Sequence, residues 1–588
     1  MSDVSTLSHT ENWTAALRSM NTALRAVAQA PLPVAATKPY DGMAVAGSVG
    51  EFMLGLAAQP QRLFEVQAKA FRQWGDFWFG SLSPKDDETP PPVEIPRSDR
   101  RFGDAAWRTN PYFRNIRDTY LIASDQLRSM ANLADGIDPR SQAMVKFLLD
   151  QYLNAVAPSN FAATNPEVVR RIAETGGANL VAGFANLLAD VAAGKGVVER
   201  RAPAAFKLGE NIAATPGSVV FQNHLFQLIQ YDPVTPQVHA APLLYVPPLV
   251  NKYYMIDLQP KSSLVRWLVE EGRTVFAISW INPDDSHRDC GVEHYVRDGI
   301  VEALGAVERA TGTTRTDLFS FCLGGTLTAI AASYLTATGQ ADRLGSLTLI
   351  GAMVDFSDMR EWSAFVHEAH LDALDKHLEK RGFIESHELQ QLFSAVRAND
   401  LIWSSVVSHY LLDREAPPSD ILHWFQDGSR IPQAFLKSYN RSLLFDNALS
   451  KGGAFSIDGA KIDLAVVKVP VMLIALRDDH VSAWEAVYAG ARLFGGPATF
   501  VLAGSGHNAG VVNPPAANKH GYWTSSAQPD SAADWLAGAE KNVGSWWPML
   551  NAWLDEVGSA EMVAARAPGS GKLKAIEPAP GSYVTITH

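Results

Sequence analysis

Cysteine is nearly absent: 588 residues contain two, Cys290 and Cys322. Two thiols cannot build a disulfide framework, and neither has partners at metal-ligand spacing. Such usage points to a reducing, cytosolic compartment. Positive charge is also short. Fifty Lys and Arg stand against 62 Asp and Glu, for a net charge of −12, which argues against a nucleic-acid partner. Long apolar runs are missing as well. The most lipophilic long stretch, ANLVAGFANLLADVAAG at 178–194, carries Asp190 and two Asn, so it reads as a buried or docking helix and not as a membrane span. The N-terminus, MSDVSTLSHTENW, has no basic segment followed by an apolar run, hence no secretory signal. There is no internal repeat.

What is present is a globular, core-forming composition, with 47% hydrophobic and 19% charged residues. Residues 1 to about 80 contain amphipathic helical stretches such as WTAALRSMNTALRAVAQA, and 81–99 (SLSPKDDETPPPVEIPRSD) is a linker rich in Pro and charge. A second helical region runs from 100 to about 201. The texture changes near Lys207. GSVVFQNHLFQLIQY, from Gly217, reads as β-hairpin material. Short apolar runs follow at 243–246, 274–278, 318–321, 347–350 and 471–476, with helix-like segments at 262–271 and 295–311. Strands alternating with helices predict βαβ units and a parallel sheet. About 120 residues of weaker strand character, 355–464, interrupt the pattern as a lid or cap insertion does. The expected architecture is therefore α/β: a mainly helical N-terminal domain at 1–205, then a catalytic domain at 206–588 with that lid insertion.

The stretch LFSFCLGGTL, from Leu318, explains one of the two cysteines. Strand 318–321 meets a helix starting near Gly324, and Cys322 sits on the turn between them. A nucleophile at such a bend is thrust above the carboxyl edge of the sheet, and its neighbours two residues away must be small. Here they are Ser320 and Gly324, followed by Gly325. The helix N-terminus favours negative charge at this point. A cysteine nucleophile needs a base, and the base an orienting group. α/β-hydrolase order is nucleophile, acid, histidine. After VMLIAL comes Arg477-Asp478-Asp479-His480, where either Asp478 or Asp479 is placed to be the acid. His507 follows in FVLAGSGHNAGV, on a Gly/Ser-rich loop after another apolar run. Cys290, in HRDCGVE, has no preceding strand and no glycine pair, and reads as structural.

At these residues the sequence resembles the class I polyhydroxyalkanoate synthases. The resemblance also rests on DRRFGDAAWRTNPYF, VPPLVNKYYMIDLQP, SLVRWLVEEGRTVFAISWINPD, RANDLIW, GSGHNAGVVNPP, WLAGAEKNVGSWWP and AIEPAPGSYV, and runs from about Asp99 to Tyr583. It implies an α/β-hydrolase fold and polymerisation of (R)-3-hydroxyacyl-CoA, most simply 3-hydroxybutyryl-CoA, into polyester with release of CoA. No cofactor is implied, because CoA is part of the substrate and then a product. By resemblance Cys322 is the nucleophile, Asp479 rather than Asp478 the acid, and His507 the base. Ser320 stands where the family has glycine. Whether Asp479 orients His507 or activates the incoming hydroxyl stays open. Oxyanion donors are expected at the backbone N–H of Leu323 and near Leu249 and Val250 in PPLVNK, a stretch that serves equally well as a rigid turn. Trp403 and Trp424 are candidates for a substrate channel, with core packing the alternative; the same choice applies to Trp546 and Trp547 as polymer exit or core. The implied setting is cytoplasmic, on polyester granules, with a homodimer and granule-associated proteins as partners. The N-terminal domain would make those granule, partner or dimer contacts. A cysteine-dependent acyl-CoA thioesterase is the competing enzyme.

Overall fold

The computed structural model describes residues 42–81, 90–96, 99–133, 137–192, 205–415, 417–558 and 561–587. The amphipathic segment at 13–30 and most of the 81–99 linker lie outside the described residues. The chain divides into two compact units. One takes the described residues up to 192 with Ser363–His370 and Gln391–Pro418, the other Pro203–Trp362, Leu371–Gln390 and Ser419–His588. The insertion at 355–464 is thus shared between both units.

The first unit is helical. Three of its helices begin with the same device. Asn110, Asp138 and Asn165 each accept N–H bonds from the first turn of Pro111–Ala131, Pro139–Ala155 and Pro166–Thr175, and a proline follows each cap. The side-chain oxygen satisfies donors left free at a helix start, and proline at that position sacrifices no bond. The lipophilic stretch forms helix Ala178–Ala192. Asp190 is buried there and accepts the Tyr410 hydroxyl at 2.9 Å, while Asn179 donates to the Leu411 carbonyl at 2.6 Å. At Gly183 a Cβ would lie 1.8 Å from the Tyr410 carbonyl oxygen. The helix therefore docks on protein through its polar residues. Among the described residues no helix is long and apolar enough to cross a membrane.

The second unit is built on an eleven-stranded sheet. In chain order its strands are β1 Gly217–Gln222, β2 Phe226–Tyr231, β3 Leu243–Val246, β4 Val275–Trp280, β5 Thr316–Phe321, β6 Leu344–Ile350, β7 Val471–Leu476, β8 Ala498–Ala503, β9 Tyr522–Thr524, β10 Glu540–Asn542 and β11 Glu577–Pro578. They lie in the order β10-β9-β8-β7-β6-β5-β3-β4-β2-β1-β11. The six from β8 to β4 are parallel and the outer ones antiparallel. Every residue of β3 to β7 is buried, as expected when helices cover both faces of a parallel sheet. That two-sided burial makes these strands uninterrupted apolar runs in the sequence. The short outer strands β9, β10 and β11 gave no signal in the sequence. They are polar or only three residues long or fewer, and they exist because a neighbouring ladder pairs them.

Candidate active site

Cys322 stands between β5 and helix α1, Leu323–Ala337. Its backbone has φ 53° and ψ −130°, a left-handed-side conformation that costs a non-glycine residue roughly 1–3 kcal/mol and persists only where the surroundings enforce it. The enforcement is visible. Its N–H bonds to the Ile350 carbonyl at 2.9 Å on β6, and its carbonyl accepts Gly325 N–H at 2.8 Å. A Cβ at Gly324 would lie 2.3 Å from the Val246 carbonyl oxygen, and one at Gly325 2.3 Å from Ala352 Cβ. Both glycines are therefore fixed by close approach. Ser320 is fully buried, and its hydroxyl donates to the Thr348 carbonyl at 3.1 Å. The strand stays in register there, pairing Ser320 with Val246 and Leu349, so the serine is accommodated without a bulge.

The turn after β7 carries Asp479, and the loop after β8 carries His507. Asp479 Oδ2 lies 2.6 Å from His507 Nδ1. A carboxylate only accepts, so Nδ1 carries the proton and Nε2 is left for another partner. The Cys322 thiol is close enough to the ring to act on its charge. Asp479 Oδ1 accepts the N–H groups of Val481 and Ser482 at 2.7 and 2.9 Å. Burial pulls the His507 pKa down, but the Asp479 carboxylate and Cys322 outweigh it and raise it to about 10. Asp478 is exposed, and its N–H is tied to the Ser505 carbonyl. It does not join the cluster.

Packing holds the imidazole from several sides. Phe321 lies 4.7 Å from it, centroid to centroid, and His480 6.4 Å away. A Cβ at Gly351, whose φ is 54°, would reach 3.3 Å from Cε1. The loop itself is pinned from the C-terminal helix α2, Trp547–Val557. Trp546 Nε1 donates to the Gly510 carbonyl at 2.8 Å and Trp547 Nε1 to the Val511 carbonyl at 3.0 Å. Both indoles are buried in the core. They brace the histidine loop from behind.

The loop after β3 runs against the elbow, as the Gly324 contact shows. Pro247 and Pro248 have no N–H, so Leu249 and Val250 are its first donors. The Pro247 carbonyl accepts the Trp280 indole at 3.0 Å, and the Val250 carbonyl accepts Ser429 N–H at 2.9 Å. Leu323, whose N–H is the first past the nucleophile, is buried. Trp424 is 4% exposed and donates to the Lys252 carbonyl at 2.8 Å. It packs in the core cluster behind this loop. Trp403 is partly buried and falls in the other compact unit. Cys290 is buried away from the cluster's elements, and burial, then the carboxylates Asp298, Asp289 and Glu293, push its thiol pKa up, the opposite of what a nucleophile requires. Two further residues gave no sequence signal. Tyr245 on β3 is buried and Tyr439 in the insertion is partly buried; desolvation first and then the charge of nearby Cys322 raise both pKa values. Among the described residues no three metal-ligating side chains come together.

A cysteine at a strand–helix elbow, reached by a histidine from the last parallel strand, defines an enzyme of the α/β-hydrolase fold. The alpha/beta hydrolase fold family matches residues 242–514, and the family described as the poly-beta-hydroxybutyrate polymerase (PhaC) N-terminus matches residues 98–268. The poly(3-hydroxyalkanoate) polymerase of Methylorubrum extorquens is 40% identical over 90% of this chain and 87% of its own. The polymerase subunits of Rhizobium meliloti and Cupriavidus necator are each 38% identical, covering 92% and 90% of this chain and 87% and 90% of theirs. The chain belongs to the poly(3-hydroxyalkanoate) polymerase family, whose members are acyltransferases.

Proposed function

We propose that this enzyme polymerises (R)-3-hydroxyacyl-CoA, with 3-hydroxybutyryl-CoA as the short-chain substrate, through a thioester on Cys322. One observation carries the proposal: His507 is bonded to Asp479 and is charge-coupled to the thiol at the elbow. In the first step the Cys322 thiolate, paired with protonated His507, attacks the acyl carbonyl. CoA leaves as a thiol, carrying a proton returned by His507. The exchange replaces one thioester with another and is nearly isoenergetic. The bound acyl group thus remains activated for the next step. In that step the 3-hydroxyl of an acyl unit attacks it, His507 removes the hydroxyl proton, and an ester forms as the Cys322 S–C bond breaks and the released sulfur again pairs with the protonated His507.

The negative oxygen formed in each step would be met by backbone donors at Leu323 and at Val250 or its neighbour Leu249. The close approach of the Val246 and Pro247 carbonyls to Gly324, at the start of the same loop, supports this reading. Asp479 acts through His507. Both of its oxygens already have partners, so it holds the ring in one tautomer and stabilises the imidazolium. A product that is insoluble places the enzyme at a polyester granule surface in the cytoplasm, with the helical unit available for granule, partner or dimer contacts.

The test is purified enzyme with 3-hydroxybutyryl-CoA, following CoA release together with the fate of the acyl group. Insoluble polyester formed in step with CoA is the expected result. Free 3-hydroxybutyrate in its place would identify a thioesterase.

A further inference from the structure

Lys252 follows the oxyanion loop by two residues and is 3% exposed. A buried ammonium is held by the bonds it makes. Here Nζ donates to two backbone carbonyls of the chain's far end, Val584 at 2.9 Å and Ile586 at 2.8 Å. The same tail is tied a second time. Asn282 Nδ2 donates to the Ile586 carbonyl at 3.3 Å, while its Oδ1 accepts Arg430 N–H at 3.0 Å. Arg430 closes the segment whose Trp424 donates to the Lys252 carbonyl. The bonds form a ring: loop, Trp424 segment, Asn282, tail, and back to the loop through Lys252. None of these groups belongs to the Cys322–His507–Asp479 cluster. Burial lowers the Lys252 pKa and Asp427 opposes that shift, yet no carboxylate bonds to Nζ in its place, so the tail carbonyls are its partners.

We propose that Lys252 is a positioning residue that uses the C-terminal segment as a latch, setting the distance of the Leu249–Val250 donors from Cys322. This rests on the proposed oxyanion role of that loop. Catalysis by such donors depends on placement; a misplacement of about 1 Å costs roughly 100-fold.

Two reactions of Cys322 separate the latch from general damage. Acylation by 3-hydroxybutyryl-CoA passes through an oxyanion. Alkylation by iodoacetamide forms the S–C bond with loss of iodide and passes through none, though it needs the same thiolate and His507. Full-length Lys252→Met is expected to load its first acyl group about 10- to 100-fold more slowly, within the range for a weakened oxyanion donor. It should be alkylated at the wild-type rate. Asn282→Ala, which loosens the ring from the tail side, is the second variant should Lys252→Met not fold. It should show the same split at about 3- to 10-fold, as a smaller displacement of the same donors. Unchanged acylation in the variants, or acylation and alkylation lost in equal measure, would overturn the latch. Failure of the wild type to acylate Cys322 would instead overturn the underlying assignment of the nucleophile.

Discussion

Asp479 gives one carboxylate oxygen to His507 and the other to the backbone of its own turn. The 2.6 Å bond to Nδ1 uses Oδ2, and the amides of Val481 and Ser482 use Oδ1. With both oxygens engaged, the proposed role of the carboxylate is to act through the imidazole in every step. Asp479→Asn should therefore slow the initial CoA burst and steady-state release together, by about 10³–10⁴-fold, the loss typical when a triad carboxylate is neutralised. Rapid-quench measurement of both phases checks this. A full burst followed by slow elongation would assign the carboxylate to the hydroxyl instead.

The same bond gives stability a pH signature. The His507 pKa is raised in the folded protein to about 10 from an ordinary 6.5. A raised pKa means the folded state holds the proton more tightly than the unfolded chain. The stabilisation is complete below about pH 6.5 and is lost as pH rises through about 10. The stability advantage of wild type over His507→Gln should shrink across that window in denaturant titrations at stepped pH. An advantage that grows with pH would contradict the pairing.

Gly324 is expected to tolerate no side chain. Its Cβ position is 2.3 Å from the Val246 backbone oxygen and 2.7 Å from that of Pro247, neither of which is a flexible side-chain end. Gly324→Ala should destabilise by about 1–3 kcal/mol, the usual cost of overpacking, and should slow acylation because it moves the β3 loop. Equilibrium unfolding and single-turnover loading measure the two effects.

Trp546→Phe keeps the buried ring and removes the N–H that holds the Gly510 carbonyl. The lost bond leaves a buried carbonyl unpaired, worth about 1–3 kcal/mol. Because the loop carries His507, kcat should fall more than KM rises. An unchanged kcat with an altered KM would place the indole's role at the substrate.

How much of this was legible beforehand follows from physics that acts locally. β3 to β7 are buried on both faces and so announced themselves as short apolar runs. Cys322 was legible because a bend that tight demands Ser320, Gly324 and Gly325 around it. Asp479 and Asp478 could not be separated, since only the long-range approach of the His507 loop distinguishes them. The functions of Trp424, Trp546 and Trp547 were equally hidden: each indole N–H finds a carbonyl distant in sequence. The outer strands β9 to β11 have too few residues for a period, and the division of 355–464 between two units depends wholly on tertiary contacts.

The most direct measurement is mass analysis of the peptide carrying Cys322 after rapid quenching of the enzyme with 3-hydroxybutyryl-CoA. One hydroxybutyryl unit or a short oligomer should be bound to Cys322 as a thioester released by hydroxylamine. Cys322→Ala should carry none and should release CoA at less than about one thousandth of the wild-type rate, as on removal of a nucleophile. An unmodified Cys322 in turning-over enzyme, or an active Cys322→Ala variant, would contradict covalent catalysis at the elbow.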